Sequence, residues 1–174
     1  MRVDFNVPLD ASGQIRDERR IVASLPSIRS VLQRRGRLIL MSHLGRPKSE
    51  GDRRRLSLAP VAQRLSKLLG QEVRFAGEVV GERVDEAVGR LAPGEVLLLE
   101  NLRFHPGESS GDTQFAAALA GLADIYCNDA FGTCHRKDAS MVAVPAAMPG
   151  NPKVAGLLLK RELSVLAGLL DAPQ

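Results

Sequence analysis

The feature that most constrains this chain is a regular exchange between two hydrophobic periods. Short apolar runs, such as residues 38–41 and 96–99, are separated by stretches in which apolar residues recur every three or four positions. Val3, Phe5 and Val7 alternate with polar residues, as one face of a strand requires. Over residues 20–35, Ile21, Leu25, Ile28 and Leu32 fall at i, i+4, i+7 and i+11, which makes one helix face, and Gly36 stops it. The same reading gives strands over 73–75, 95–100 and 124–128. It gives helices led by Ser57 with Leu58, Val61, Leu65 and Leu68, over 81–91 with Val84 and Val88 inward, and around Phe115, Leu119 and Leu122. A last helix is expected from about residue 154 to residue 170. Strands alternating with helices of this length predict an α/β fold, a Rossmann-like parallel sheet with helices on both faces.

Loops fill the rest. Residues 10–13 turn the chain after Pro8, and residues 48–56 are read as a solvated loop with Arg53, Arg54 and Arg55 at the surface. Residues 101–112 and 129–140 are read as loops following strands, and residues 145–152 as a proline-rich connection. In a parallel sheet the ligand crevice lies beyond the carboxyl ends of the strands. Four loops with polar or glycine-rich content follow strand ends here, after Phe5, Met41, Leu99 and Cys127.

Composition narrows the chemistry. The 174 residues suit one domain of ordinary size. No apolar run approaches the roughly 20 residues that span a bilayer, and Arg2, Val3 and Asp4 after Met1 leave no apolar leader segment. The expectation is a cytoplasmic protein that meets no membrane. The net charge is only +4, but 19 of the 24 cations are arginine. Arginine grips phosphate and carboxylate through a planar fork, which lysine cannot do. Five Phe, one Tyr and no Trp leave little for base stacking, so a small anion is expected in preference to nucleic acid.

Three strand-end loops each bring one arginine. His43, Leu44, Gly45 and Arg46 follow residues 38–41. Glu100, Asn101, Arg103 and His105 follow 96–99. Asn128, Asp129, Cys134, His135 and Arg136 follow 124–128. Several guanidinium forks at one mouth would hold an oxyanion. His105 is read as a partner for loop backbone, and Cys127 as part of the core. The three histidines do not share metal-ligand spacing, so no metal site is expected. No serine or cysteine hydrolase is expected either. The chain has neither a Gly-x-x-x-x-Gly-Lys-Ser/Thr loop nor a Gly-x-Gly-x-x-Gly turn, so a nucleotide polyphosphate has no evident cradle.

Taken together, the strings Val3-Asp4-Phe5-Asn6-Val7-Pro8, Arg20-Ile21, Met41-Ser42-His43-Leu44-Gly45-Arg46-Pro47, Leu58-Ala59-Pro60-Val61, Leu97 through His105 and Asn128 through Arg136 strongly resemble phosphoglycerate kinase. They stand in that family's order with compatible spacing along essentially the whole chain. The resemblance is to one of the family's two domains, the N-terminal phosphoglycerate-binding one, over residues 1–153 with its first strand truncated. Residues 154–174 resemble the start of the interdomain helix, and the nucleotide-binding domain is not represented.

The resemblance implies a glycolytic phosphotransferase that moves a phosphoryl group between 1,3-bisphosphoglycerate and ADP, giving 3-phosphoglycerate and ATP. It implies substrate contacts at Asp4, Phe5, Asn6, Arg20, His43, Leu44, Gly45, Arg46, Arg103 and Arg136. Asp4 and Asn6 would position the glycerate hydroxyl and carboxyl end. His43, Arg46, Arg103 and Arg136 would hold the 3-phosphate, and Arg20 would act catalytically on the transferring phosphoryl group. Mg-ATP or Mg-ADP would be bound by the C-terminal domain, and the complete protein would be a monomer. The alternative reading is a stand-alone module that binds small anions without catalysis. Cys134 stands where the family usually has alanine.

Overall fold

The computed structural model describes residues 1–10 and 12–171; Ala11 in the expected first turn and residues 172–174 of the expected interdomain segment lie outside the described residues. The chain runs β1 (Arg2–Val3), α1 (Arg19–Gln33), β2 (Leu38–Leu40), α2 (Glu50–Arg55), α3 (Ala59–Leu69), β3 (Val73–Phe75), α4 (Glu82–Gly89) and β4 (Val96–Leu98). It continues through a 3-10 turn (Leu102–Phe104), α5 (Pro106–Ser110), α6 (Thr113–Ala120), β5 (Tyr126–Asp129), a second 3-10 turn (Phe131–Thr133), α7 (Ala143–Ala146), β6 (Lys153–Ala155) and α8 (Leu157–Asp171).

All the strand pairs are parallel, in two three-stranded groups ordered β1-β5-β6 and β2-β4-β3. The groups meet where the Val3 N–H donates to the Met41 carbonyl (3.1 Å) and the Met41 N–H to the Met1 carbonyl (3.0 Å). β1 therefore lies between β5 and β2. The chain leaves β1 toward β2 on one side and returns much later to β5 on the other. A reversal of this kind opens a crevice at the carboxyl ends of the strands.

Period-2 alternation distributes the core to both faces. Leu38, Leu40, Val96 and Leu98 pack with Val3, Phe5, Val7 and the inner faces of α1 and α3, including Ile21, Ile28, Val61 and Leu65. The intervening Met41, Leu97 and Leu99 pack on the opposite face with Val84 of α4, Phe115 and Leu119 of α6 and Val144 of α7. The expected doubly covered parallel sheet is what the chain forms. Ser57 does serve the start of α3, its Oγ accepting from the Ala59 N–H (3.2 Å), and Gly70 closes that helix with a left-handed φ of 71°.

Four local expectations are corrected. Residues 48–56 are not all loop, because α2 forms within them. Its acidic first turn and Arg53, Arg54 and Arg55 in its last turn complement the helix dipole, and the Asp52 carboxylate accepts from the Lys48 and Ser49 N–H groups. Residues 101–112 contain a 3-10 turn and α5, started by Pro106 and by His105, whose Nδ1 accepts from the Gly107 N–H (3.1 Å). The last helix starts at Leu157, not near residue 154, since Lys153–Ala155 extends the sheet as β6 and crosses the expected boundary at 153/154. A three-residue exposed strand has no periodicity to announce it. Gly156 makes the joint: a Cβ there would lie 2.1 Å from Asp129 Oδ1. That oxygen accepts from the Leu158 and Leu159 N–H groups (2.9 and 3.2 Å) at the start of α8. Cys127, expected in the core, is only half-buried.

Candidate functional site

The loops beyond β1, β2, β4 and β5 enclose a cleft of about 410 Å³. Asp4, Asn6, Arg20, His43, Gly45, Arg46, Arg103 and Arg136 line it, joined by Gly132, Thr133 and His135. Eight of the ten expected contact residues are thus brought together. The other two, Phe5 and Leu44, have fully buried side chains in the core, so only their main chain stands near the cleft. The structure places them by alternation: Phe5 shares the core face with Val3 and Val7.

Each loop is braced by a side chain that bonds backbone. Asn101 is buried completely. Its Oδ1 accepts from the Leu44 and Arg103 N–H groups (both 3.1 Å), and its Nδ2 donates to the carbonyls of Leu44 (2.7 Å) and Leu56 (2.9 Å). Asn6 Oδ1 accepts from the Gly45 N–H (2.8 Å), tying the β1 loop to the β2 loop. Gly45 takes a φ of 60°, which a side chain would resist, and Leu56 fills the space where its Cβ would be. Glu100 does not face the cleft; it accepts from the Ser57 hydroxyl (2.7 Å) and the Leu58 N–H (2.9 Å) at the start of α3.

The cations differ in their freedom. Arg103 donates to the Gly45 carbonyl (2.5 Å) and lies 3.9 Å from Asp138. Arg136 pairs with the same carboxylate through Nε at 2.8 Å. Arg20, half-exposed, pairs with Asp4 across the mouth. Arg46 is exposed and makes no ion pair or hydrogen bond among the described residues. Burial, with Arg136 next, lowers the pKa of Arg103, while Asp138 opposes the shift. The same concentration of positive charge acts on His43. Burial, then Arg2, Arg103, Arg136 and Arg20, depresses its pKa to about 2, so the ring is uncharged. A partly neutralised guanidinium cluster that keeps fork donors open suits a dianionic oxyanion.

Sequence reasoning passed over Arg2 and Asp138, and it named the lining residues Thr133 and His135 only within the loop after Cys127, with no contact assigned to them. Arg2 had a signal: with Val3, Phe5 and Val7 turned to the core, period 2 places Arg2 on the same side as Asp4 and Asn6. Asp138 is two residues from Arg136, a weaker hint.

The donor set does not fit a metal-nucleotide complex. Among the described residues no group of three His, Cys, Asp or Glu side chains could hold a metal ion. The cleft walls are cationic and carry no glycine-rich phosphate loop. One string, Gly107-Glu108-Ser109-Ser110-Gly111, spells the hydrolase pattern Gly-x-Ser-x-Gly. It forms α5 after a 3-10 turn, without the strand-to-helix elbow that presents a nucleophile, and Ser109 is an exposed helix residue. No described helix is long and apolar enough to cross a membrane.

The family model described as phosphoglycerate kinase matches residues 1–174. The chain is 59% identical over 175 residues to the phosphoglycerate kinase of Rhodopirellula baltica, covering all of this chain and 44% of that protein. It is 52% identical to that of Desulforudis audaxviator, covering 43% of the relative. Among solved structures, phosphoglycerate kinase from Coxiella burnetii superposes with a TM-score of 0.84 at 37% identity. That from Pyrococcus horikoshii gives 0.87 at 30% identity. Each alignment covers 99% of this chain and, respectively, 42% and 43% of the solved one. The chain thus spans less than half the length of the relatives it matches.

Proposed function

Because this chain belongs to the phosphoglycerate kinase family, we propose that it supplies the acid-substrate half of that family's phosphoryl transfer between 1,3-bisphosphoglycerate and ADP. The residues up to Gly156 form the unit that binds 3-phosphoglycerate, and α8, which starts at Leu157, begins the helix toward a nucleotide-binding unit. The observation that carries this reading is the convergence of Arg20, Arg46, Arg103 and Arg136, from four separate segments, on one cleft that also contains His43.

Arg46, Arg103, Arg136 and His43 hold the 3-phosphate. Asp4 and Asn6 orient the hydroxyl and carboxyl end. Arg20 stands at the outer edge, where its pairing with Asp4 aims it at the oxygen that accepts or gives up the phosphoryl group. In a loose transition state, charge spreads over the transferring oxygens, and a positioned cation stabilises it without covalent chemistry. The carboxylate acceptor is already ionised, so no general base is needed. The nucleotide, ATP as phosphoryl donor in one direction or ADP as acceptor in the other, would be held with its Mg by residues outside this chain, and no step within the cleft is assigned to the metal. The reaction places the protein in glycolysis, acting in the cytoplasm as a monomer without nucleic-acid or membrane partners.

Isothermal titration with 3-phosphoglycerate tests the reading. Saturable binding at one site, competed by inorganic phosphate and abolished by combining Arg103→Ala with Arg136→Ala, is expected. Absence of binding by a folded chain overturns it.

A further inference from the structure

His43 rests on a chain of buried polar groups that the proposed phosphate contacts leave unexplained. Glu108, on α5, is fully buried and accepts from the Ser140 hydroxyl (2.6 Å) and the Ser140 N–H (2.9 Å). With its own hydrogen directed at Glu108, Ser140 Oγ accepts from Arg2 Nε at 3.0 Å. Arg2, also fully buried, donates through Nη1 to the Val3 carbonyl, and its Nη2 lies 2.8 Å from His43 Nδ1. A guanidinium has only donors. Nδ1 must therefore accept, and the ring proton resides on Nε2.

We infer that Glu108, Ser140 and Arg2 are positioning residues that hold His43 as the neutral Nε2–H tautomer, so that the ring presents a donor to the cleft. The inference rests on the proposal that the cleft takes a phosphate. The tautomer decides the sign of the contact, because the alternative Nδ1–H form would turn an imidazole lone pair toward an anion. It would also set two donors, Nδ1–H and Arg2 Nη2, against each other in a buried place, at the cost of an unmade hydrogen bond.

Burial of the chain explains why it takes this form. Arg2 leaves the water with its charge, and such a cation is retained only when paired and hydrogen-bonded. Glu108 supplies the countercharge through one hydroxyl, and its field is the largest of those supporting the Arg2 charge. The groups facing His43 are Arg2 from β1, Arg20 from α1, Arg103 from the first 3-10 turn and Arg136 from the loop after β5; Asp4 is engaged by Arg20 and Asp138 by Arg136. With four guanidinium groups around it, a second proton on the ring is excluded at neutral pH.

The test is a ring-nitrogen correlation spectrum of the 15N-labelled protein between about pH 5 and 8, the range in which an ordinary histidine titrates, with His43→Gln assigning the signal. The expected result is a protonated Nε2 and an unprotonated Nδ1 that do not change across the range. Ser140→Ala, which cuts the chain at its middle, should bring in the second tautomer and lower 3-phosphoglycerate affinity roughly 3- to 10-fold. Ser140→Thr, which keeps the hydroxyl, should restore both. A His43 ring that carries its proton on Nδ1, that titrates in this range, or that keeps one tautomer in a folded Ser140→Ala variant overturns the inference. If Ser140→Ala fails to fold, the spectrum of the unmodified protein still decides it. The ring signature needs no ligand, so an expected spectrum without 3-phosphoglycerate binding supports the tautomer and refutes the phosphate reading.

Discussion

The two ends of the same sheet carry opposite chemistry. Beyond the carboxyl ends, the cleft gathers four arginines and two histidines, and hydrogen bonds tie the loops after β1, β2 and β4 to one another. Beyond the amino ends, a groove of about 510 Å³ is lined mainly by Met1, Val31, Leu38, Ile39, Val88, Leu91, Leu122 and Val154, with Arg34, Arg37 and Asp124 among its few charged members. Burial pushes the Cys127 thiol upward at that end, so it behaves as a small apolar group. The six strands of the described residues all point the same way, so one set of loops leaves the strands and the other enters them. The candidate site lies in the leaving set, where the reversal at β1 splays the loops and leaves room.

The largest expected contrast concerns Arg20. In a chain joined to a complete nucleotide-binding unit, Arg20→Ala should lower kcat by roughly 10³-fold or more, the range for cations acting on a transferring phosphoryl group. Its effect on 3-phosphoglycerate affinity should be modest. A raised KM with unchanged kcat would move Arg20 among the ground-state contacts.

Arg103 marks the interior of the same end. Arg103→Ala should weaken 3-phosphoglycerate binding by about 1.5–3 kcal/mol, the worth of a charge-assisted hydrogen bond. Arg54→Ala, in the exposed α2, should leave binding unchanged. Equal losses in titration would mean that general charge, and no defined clamp, holds the ligand. Circular dichroism must accompany the Arg103 variant, because it also loses the bond to Gly45.

His43 offers a pH test of the cationic end. Its folded pKa, near 2, lies below the unfolded value of 6.5. Between these values the unfolded chain binds the proton and the folded one does not, so stability from this group is full above pH 6.5 and declines as pH falls below it. His43→Gln should flatten part of the slope of Tm against pH below 6.5. A slope unchanged by the substitution would assign the acid sensitivity elsewhere.

The smallest effect belongs to the amino end. Arg37→Ala should leave 3-phosphoglycerate affinity unaltered and shift stability by no more than about 0.5 kcal/mol, as for an ordinary surface substitution. A clear loss of affinity by titration would couple the two ends and end their contrast.

What the sequence determined by itself was the order of the longer strands and helices, the parallel doubly covered sheet and the placement of one arginine in each of three strand-end loops. These are local properties. Ile21, Leu25 and Ile28 declare a helix face within a few turns, and the residue types after an apolar run declare a mouth. The resemblance of those loops to a family then supplied the candidate site nearly whole. Tertiary structure decided what each side chain meets. Phe5 and Leu44 turned to the core; Asn101 became a brace; Arg2, Glu108 and Ser140 formed a buried chain; and Lys153–Ala155 became a strand. The partners in these decisions lie far apart in sequence: Arg2 meets Ser140 across 138 positions and His43 across 41. A buried polar group is stable only where the folded chain brings its partner, and hydrophobic period carries no record of that meeting.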